Sequence, residues 1–472
     1  MQNHPMHNSF LRNIKMKLKF GHIIASLSMV LSSQAYALSV DEINAIPPTH
    51  VLYVGGGAEQ NGVFETIASK LFTAGSVSYI TDDTAAPPAK GRSFRAVAGT
   101  VSVGSLAGQN WIVAYRSLGG VFANGIAPLV TPNPPLTNYY QIQNNITSTG
   151  LANPTFKITN LSSFVPGQRP AVGLANLELA IFTGSNLPAG ASALTAGQLA
   201  QLVQTPLYNV VNGIAATNNL ADALVAATLA GHRPASLDNG LSKAEIAGIL
   251  SGTITNWTQV QGLEALDKPV ILIDRNAGSG AKAAANQYFL NNPGGAAFNG
   301  AVSPANQGAE AGIGDIVNFA AYAVRTEPSS GNVPGALDNV FNKGAYGIGI
   351  LGLENAPSVT SKWRFVAING ARATNPAGTA FDKQQAITGQ YDYFFQASVN
   401  LRKSVTGDQL ALANAFINKA KDPAVITTVA GTVLDPAEFP ETGNATLDAF
   451  RAHGTRFGNS TAPLQLVEPP AP

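Results

Sequence analysis

The 472-residue sequence predicts an α/β protein with room for two domains or two lobes. Two observations predict the class. Short apolar runs alternate along the chain with stretches of helical spacing, the pattern of strands interleaved with helices. One of those runs, residues 269–273, enters a glycine turn that opens an alanine-rich helix, as strands do in α/β units. Length supplies the third: once a leader is set aside, roughly 435 residues remain, more than one ordinary domain.

The leader comes first. Met16-Lys-Leu-Lys is basic, residues 23–31 form a short apolar run broken by serines, and Ala35-Tyr-Ala37 fits the small-x-small cleavage pattern of a secretory signal. Residues 1–37 are therefore expected to be a signal peptide, with translation starting at Met1 or Met16; a buried N-terminal helix is the alternative. The run is too short to anchor the chain in a bilayer. Residues 1–37 hold four of the 28 basic side chains and none of the 27 acidic ones, so the chain from Leu38 onward has a net charge of −3. That charge gives no footprint for nucleic acid and no polybasic membrane anchor. There is no cysteine, which excludes disulfides, a thiol nucleophile and a lipidated cysteine. A product in the periplasm or secreted from the cell, without a membrane anchor, is expected.

Residues 50–55 read as a strand entering a glycine turn, with a helix over 62–72. Residues 93–103 read as a strand pair, and 111–115, 171–174 and 210–215 as buried strands. Helical spacing covers 194–203 and 219–229. Leu241-Ser-Lys-Ala-Glu-Ile carries a capping box, Ser242 with Glu245 three residues on. Residues 269–273 and 346–351 read as strands, 409–421 as an amphipathic helix, 391–395 as a core aromatic run, and 465–472 as a Pro-rich tail.

The turn after residue 273 carries the chemistry. In Arg275-Asn-Ala-Gly-Ser-Gly-Ala-Lys282, the glycines allow a tight turn that brings backbone N–H groups near a ligand. Ser279 fits an N-cap, and the free N–H groups and macrodipole of the helix favour an anion. Arg275 adds a donor fork that cannot lose its proton. An ordinary strand–loop–helix connection with a surface arginine is the alternative. A P-loop is excluded, because no lysine follows Gly280 directly.

The segment LSKAEIAGILSGTITNW (241–257) resembles a hallmark of the phosphate-binding proteins of bacterial phosphate ABC transporters, within the type II periplasmic-binding-protein superfamily. The adjoining strand and Arg275 loop are similar to the arginine–x–x–glycine–serine–glycine–threonine loop of that family. The glycine turn at 55–57, Ala171-Val-Gly-Leu-Ala-Asn-Leu-Glu178, residues 207–220 and Lys343-Gly-Ala-Tyr-Gly-Ile-Gly-Ile-Leu fall in the expected order. The resemblance implies a two-lobed fold, each lobe a mixed sheet flanked by helices, with two hinge crossings. It places lobe I at 48–208 plus 345–464 and lobe II at 209–344.

It also implies a site. Arg275, Ser279 and Gly280 match the family loop, whereas Ala281 replaces its threonine. Asn176 stands where the family has aspartate. Ala58, Glu59 and Gln60 follow the first glycine turn, with Glu59 and Gln60 in place of a threonine–phenylalanine pair. Ser117 and Gly120 match a further glycine loop. The neutral Asn176 is expected to remove a repulsion that rejects fully ionised anions. The function implied is a non-enzymatic, monomeric binder that holds a phosphate-like oxyanion for an ABC transporter permease, with no cofactor. The alternative is a binding fold without a transport role, acting as a secreted surface or adhesion component.

Other constellations are weak. His50, His232 and His453 are too scattered for a zinc site. Asp82-Asp83 reads as a solvated loop rather than a calcium site, and no hydrolase elbow is present. Glu59 and Glu178 are candidates for a carboxylate pair.

Overall fold

Strands buried on both faces set the architecture. The computed structural model describes residues 36–82, 93–130, 138–150, 155–291 and 321–467. Nearly all of the leader, Asp83, the stretch 131–135 and residues 468–472 lie outside the described residues. The strands are β1 (Val51–Gly55), β2 (Ser78–Thr81), β3 (Phe94–Thr100), β4 (Asn110–Arg116), β5 (Ile146–Ser148), β6 (Thr155–Ile158) and β7 (Val172–Ala175). They continue with β8 (Leu202–Thr217), β9 (Val270–Arg275), β10 (Ala323–Glu327), β11 (Tyr346–Gly352), β12 (Trp363–Val366), β13 (Phe394–Arg402) and β14 (Thr432–Val433). Together they form one mixed sheet in the order β10-β9-β11-β8-β13-β7-β1-β4-β3-β2-β6-β5, with β12 and β14 also on β8.

Two parallel groups sit within that sheet. β1 runs parallel to β4 and β7, and β9 runs parallel to β10 and β11. Every residue of β1 and of β9 is buried, as expected where helices cover both faces of a parallel sheet. β8 joins the groups: residues 202–211 pair antiparallel with β13, whereas 212–216 pair with β11 and 214–217 with β12. Residues 207–220, the first crossing implied by the resemblance, fall on β8 and the helix Asn218–Leu229. β11 and β12 still pair with the second half of β8, and the chain rejoins the first group at β13.

Helices pack on this sheet through apolar faces. Asn61–Ser69 and Gly407–Ala420 share a core with β1 and β4 through Phe64, Ile67, Leu412 and Phe416. Asn218–Leu229, Lys243–Ser251, Gly280–Leu290 and Val333–Asn342 cover β9 and β11 in a second core. Lys243–Ser251 begins with the expected capping box of Ser242 and Glu245 and ends at Gly252, whose φ of 74° suits a glycine C-cap. Trp257 is buried in that core, and its Nε1 donates to the Tyr346 carbonyl at 3.1 Å. Tyr391, Tyr393, Phe394 and Phe395 are buried as core. Among the described residues no helix is long and apolar enough to cross a membrane.

Three local expectations change. Residues 93–103 hold a single strand, β3, because the turn Gly104–Leu106 comes after it rather than within it. Residues 194–203 give only the one-turn helix Ala196–Leu199. Leu202 and Val203 already pair with Arg402 and Leu401, so tertiary pairing overrides a weak helical spacing. Gln465–Leu466 is a short strand against Gly454–Thr455 rather than tail.

Candidate functional site

The sequence candidates gather at the carboxyl ends of the parallel strands, where open α/β sheets place ligands. Ala58, Glu59 and Gln60 form a 3₁₀ turn after β1. Ser117 and Gly120 follow β4, and Asn176 follows β7. Arg275 ends β9, and Ser279 caps the helix Gly280–Leu290, its Oγ accepting from the Lys282 N–H at 3.4 Å. Sequence reasoning missed two contributors, Ser330 after β10 and Glu354 after β11. Ser330 had a signal, a serine–glycine turn ahead of a Pro-initiated helix. Glu354 had none beyond its place behind a buried strand.

Packing locks the loops together. Phe122 N–H donates to the Gly278 carbonyl at 3.0 Å, and the Asn276 amide donates to the Gly119 carbonyl at 2.8 Å. Gly120 has φ of 97°, and a Cβ there would come within 2.6 Å of the Gly278 oxygen. A Cβ on Gly280 would collide with Asn176 Oδ1, so the asparagine amide lies against the helix N-terminus. Ala281 is buried in the core, and its side chain offers no polar atom.

The charges are paired within the protein. Arg275 and Glu59, both buried, form an ion pair across the loops. Glu59 Oε1 also accepts from Ser330 Oγ at 3.0 Å and from Ser279 Oγ at 3.4 Å. Arg275 Nη1 also donates to Ser330 Oγ at 2.7 Å, and its Nε donates to the Glu327 carbonyl at 3.1 Å. The arginine therefore has no free two-nitrogen edge, and a bidentate grip on an outside ligand is replaced by a single remaining nitrogen, Nη2. Lys282 pairs with Asp274, and Arg325 with Glu327. Negative charge thus reaches the site from Glu59 although Asn176 is neutral.

Burial alone would raise the Glu59 carboxyl, but the Arg275 guanidinium and the Arg275 and Ser330 hydrogen bonds outweigh it and hold the group below the ordinary range. Glu354 is pushed up to about 8 by burial and by the nearby Glu59 charge, against the Asn355 hydrogen bond and Arg275. The residue as a whole is half-buried, but its Oε2 is buried without a partner. Glu354, not Glu178, is thus the carboxyl that feels Glu59; Glu178 is raised by burial and takes a backbone hydrogen bond from Ser460. Beside this turn lies a cleft of about 520 Å³ lined by Ala58, Glu65, Arg95, Ser330, Glu354 and Trp363.

Glu354 gives a pH prediction. Between the unfolded value of 4.5 and the folded value of about 8, the folded state holds a proton that the unfolded state has lost. This stabilisation is fully present below pH 4.5 and is lost as pH rises to 8. Glu354→Gln should therefore flatten the fall in melting temperature between pH 5 and 8. An unchanged slope would contradict a protonated Glu354.

Among the described residues, buried polar atoms with no hydrogen-bond partner gather in these loops: Glu59 Oε2, both amide atoms of Gln60, Ser117 Oγ, both amide atoms of Asn176, Arg275 Nη2 and Asn276 Oδ1. Native proteins leave few such atoms, and each costs about 1–3 kcal/mol unless a guest or water meets it. Donors and acceptors are mixed in this set. No nucleophile–base arrangement accompanies it: His50 stacks on Trp111 with ring centroids 4.6 Å apart, at the opposite end of β1 from these loops. Among the described residues, no cluster of three or more His, Cys, Asp or Glu could hold a metal.

Comparison with solved structures finds likenesses of low identity. A protein from Clostridium perfringens, described as a putative phosphate ABC transporter substrate-binding protein with bound phosphate, is 13% identical over 81% of this chain and 99% of its own, with a TM-score of 0.41. An ABC-type phosphate transport receptor from Vibrio cholerae is 11% identical over 80% of this chain and 97% of its own, with a TM-score of 0.38. No curated protein matches the sequence. Residues 211–390, the segment that carries the Arg275 loop, match the family model of a PBP superfamily domain.

Proposed function

We propose that this chain is an exported solute-binding protein that holds a small oxyanion of the phosphate class between two lobes and presents it to an ABC transporter. The observation that carries the reading is the set of buried, unpartnered polar atoms on the loops after β1, β4, β7 and β9. They sit at the helix N-terminus that best suits an anion and at the carboxyl ends of both parallel strand groups. The superfamily match over 211–390 supports the same reading. The lobes would be the two strand groups, with 48–208 in the first and 209–344 in the second. The chain would return to the first only at β13, because β11 and β12 pair within the second. The lobes would close on the loops that carry Glu59, Gln60, Ser117, Gly120, Asn176, Arg275 and Ser279. The role is non-enzymatic and monomeric.

Competition titrations with phosphate, sulfate and small carboxylates test it. Saturable binding of an oxyanion that Asn176→Asp shifts toward phosphate is the expected result. Binding of carboxylates alone would sink the phosphate class.

Export is the second part of the proposal. Leu38 is buried, its N–H donates to the Ser76 carbonyl at 3.3 Å, and its carbonyl accepts from Ser78 Oγ at 2.8 Å, whereas Tyr36 is exposed. Cleavage after Ala37 would leave a mature chain starting at a residue the fold holds. N-terminal sequencing of the exported protein should begin at Leu38, and a soluble form retaining residues 16–37 would refute it.

A further inference from the structure

We infer that Glu59 is a built-in occupant of the anion seat, a protein carboxylate that takes the donors an incoming oxyanion needs and so latches the two strand groups together. The inference rests on the solute-binding reading above and concerns how that site is regulated.

The geometry is that of a bound oxyanion. One oxygen, Glu59 Oε1, receives Arg275 Nη1, Ser330 Oγ and Ser279 Oγ. These donors come from the end of β9, the turn after β10 and a helix cap, whereas Glu59 sits on the turn after β1. The carboxylate therefore crosses from one parallel group to donors that all belong to the other. It is almost fully buried, which an ionised carboxyl tolerates only when charge and hydrogen bonds compensate it.

The neighbouring cations are already committed. Lys282 in the first turn of the helix pairs with Asp274, and Arg325 on β10 pairs with Glu327 through its Nε, its Nη1 being buried without a partner. Arg275 itself offers only Nη2 beyond its present partners. An oxyanion that seeks the full donor set must displace Glu59, and Glu59 Oε2, buried and unpartnered, repels any anion that enters beside it. Ligand and Glu59 compete for one seat. When Glu59 holds it, the contact between the groups is made by the protein alone.

Glu59→Gln removes the charge and keeps the shape. The buried Arg275 then lacks its counter-charge, which favours opening to water or capture of an outside anion. Small-angle scattering on the dialysed chain from Leu38 should give a larger radius of gyration for Glu59→Gln than for the wild type. Added inorganic phosphate or sulfate should restore the smaller value. Calorimetry should show the variant binding these anions at least about tenfold more tightly than the wild type, the scale of a regained charged hydrogen bond.

A variant that is as compact as the wild type and binds no more tightly would overturn the latch; if the wild type still binds phosphate, the solute-binding reading stands. A variant that opens while neither protein binds phosphate or sulfate would uphold the latch and remove the oxyanion reading. Ser330→Ala covers the case in which Glu59→Gln does not fold. It takes one donor from Glu59 without stranding a charge, and partial opening is expected. Weaker anion binding with no opening in Ser330→Ala would contradict the proposal.

Discussion

Arg275→Ala is expected to destabilise the fold by about 3–5 kcal/mol at pH 7, the cost of removing one partner of a buried ion pair. The variant strands Glu59, a carboxylate that is only 1% exposed and has no other cation among its partners. The loss should depend on pH with a definite sign. In the wild type the Glu59 carboxyl lies below its ordinary value, so its stabilisation is present above pH 4.5 and fades as pH falls. Without Arg275 only burial and weak donors act, and the carboxyl rises, so the variant loses stability as pH rises. Urea unfolding at pH 4.5 and 7 should therefore show a larger difference at pH 7. Arg275→Ala/Glu59→Gln should recover part of the loss, because the two sites are in contact and non-additive. Equal losses at both pH values would mean that the charge of the pair contributes nothing.

Gly120→Ala carries the second large effect. A φ of 97° is a conformation that side-chain-bearing residues adopt only with strain of about 1–3 kcal/mol. The new Cβ would also meet the Gly278 oxygen at 2.6 Å and the Ser279 nitrogen at 2.7 Å, both backbone atoms that cannot swing aside. The Arg275 loop must then shift, so both melting temperature and anion affinity should fall. Gly108→Ala separates the causes: Gly108 has φ of 87° with no atom near its would-be Cβ, so it carries the backbone strain without the collision. If the two variants lose the same stability and both keep binding, the loop after β4 does not support the seat.

Much of the fold was legible because its strands are locally strong. β1, β4, β9 and β11 are short apolar runs, and Ser242 with Glu245 marks a helix start by its own chemistry. β8 was not legible as one strand. Its first half contains Gln204, Pro206 and Tyr208, and the pairing with β13 that makes it a strand comes from nearly two hundred residues away. The candidate site residues were legible one by one, as glycine turns and a capped helix. Their charges were not. Nothing local tells that Glu59 meets Arg275 at a separation of 216 positions, nor that Asp274 and Glu327 claim the neighbouring cations. An anion site read from donors alone omits the carboxylates that tertiary structure brings to the same place.

The most direct measurement is calorimetric titration of inorganic phosphate into the dialysed chain from Leu38, run in parallel on the wild type, Arg275→Ala and Glu59→Gln. One saturable site is predicted in the wild type, with tighter binding in Glu59→Gln. In Arg275→Ala affinity should fall by at least about tenfold, the loss of a hydrogen bond to a charged group. Undiminished affinity in Arg275→Ala, or no saturable heat with phosphate or sulfate in either the wild type or Glu59→Gln, would contradict it.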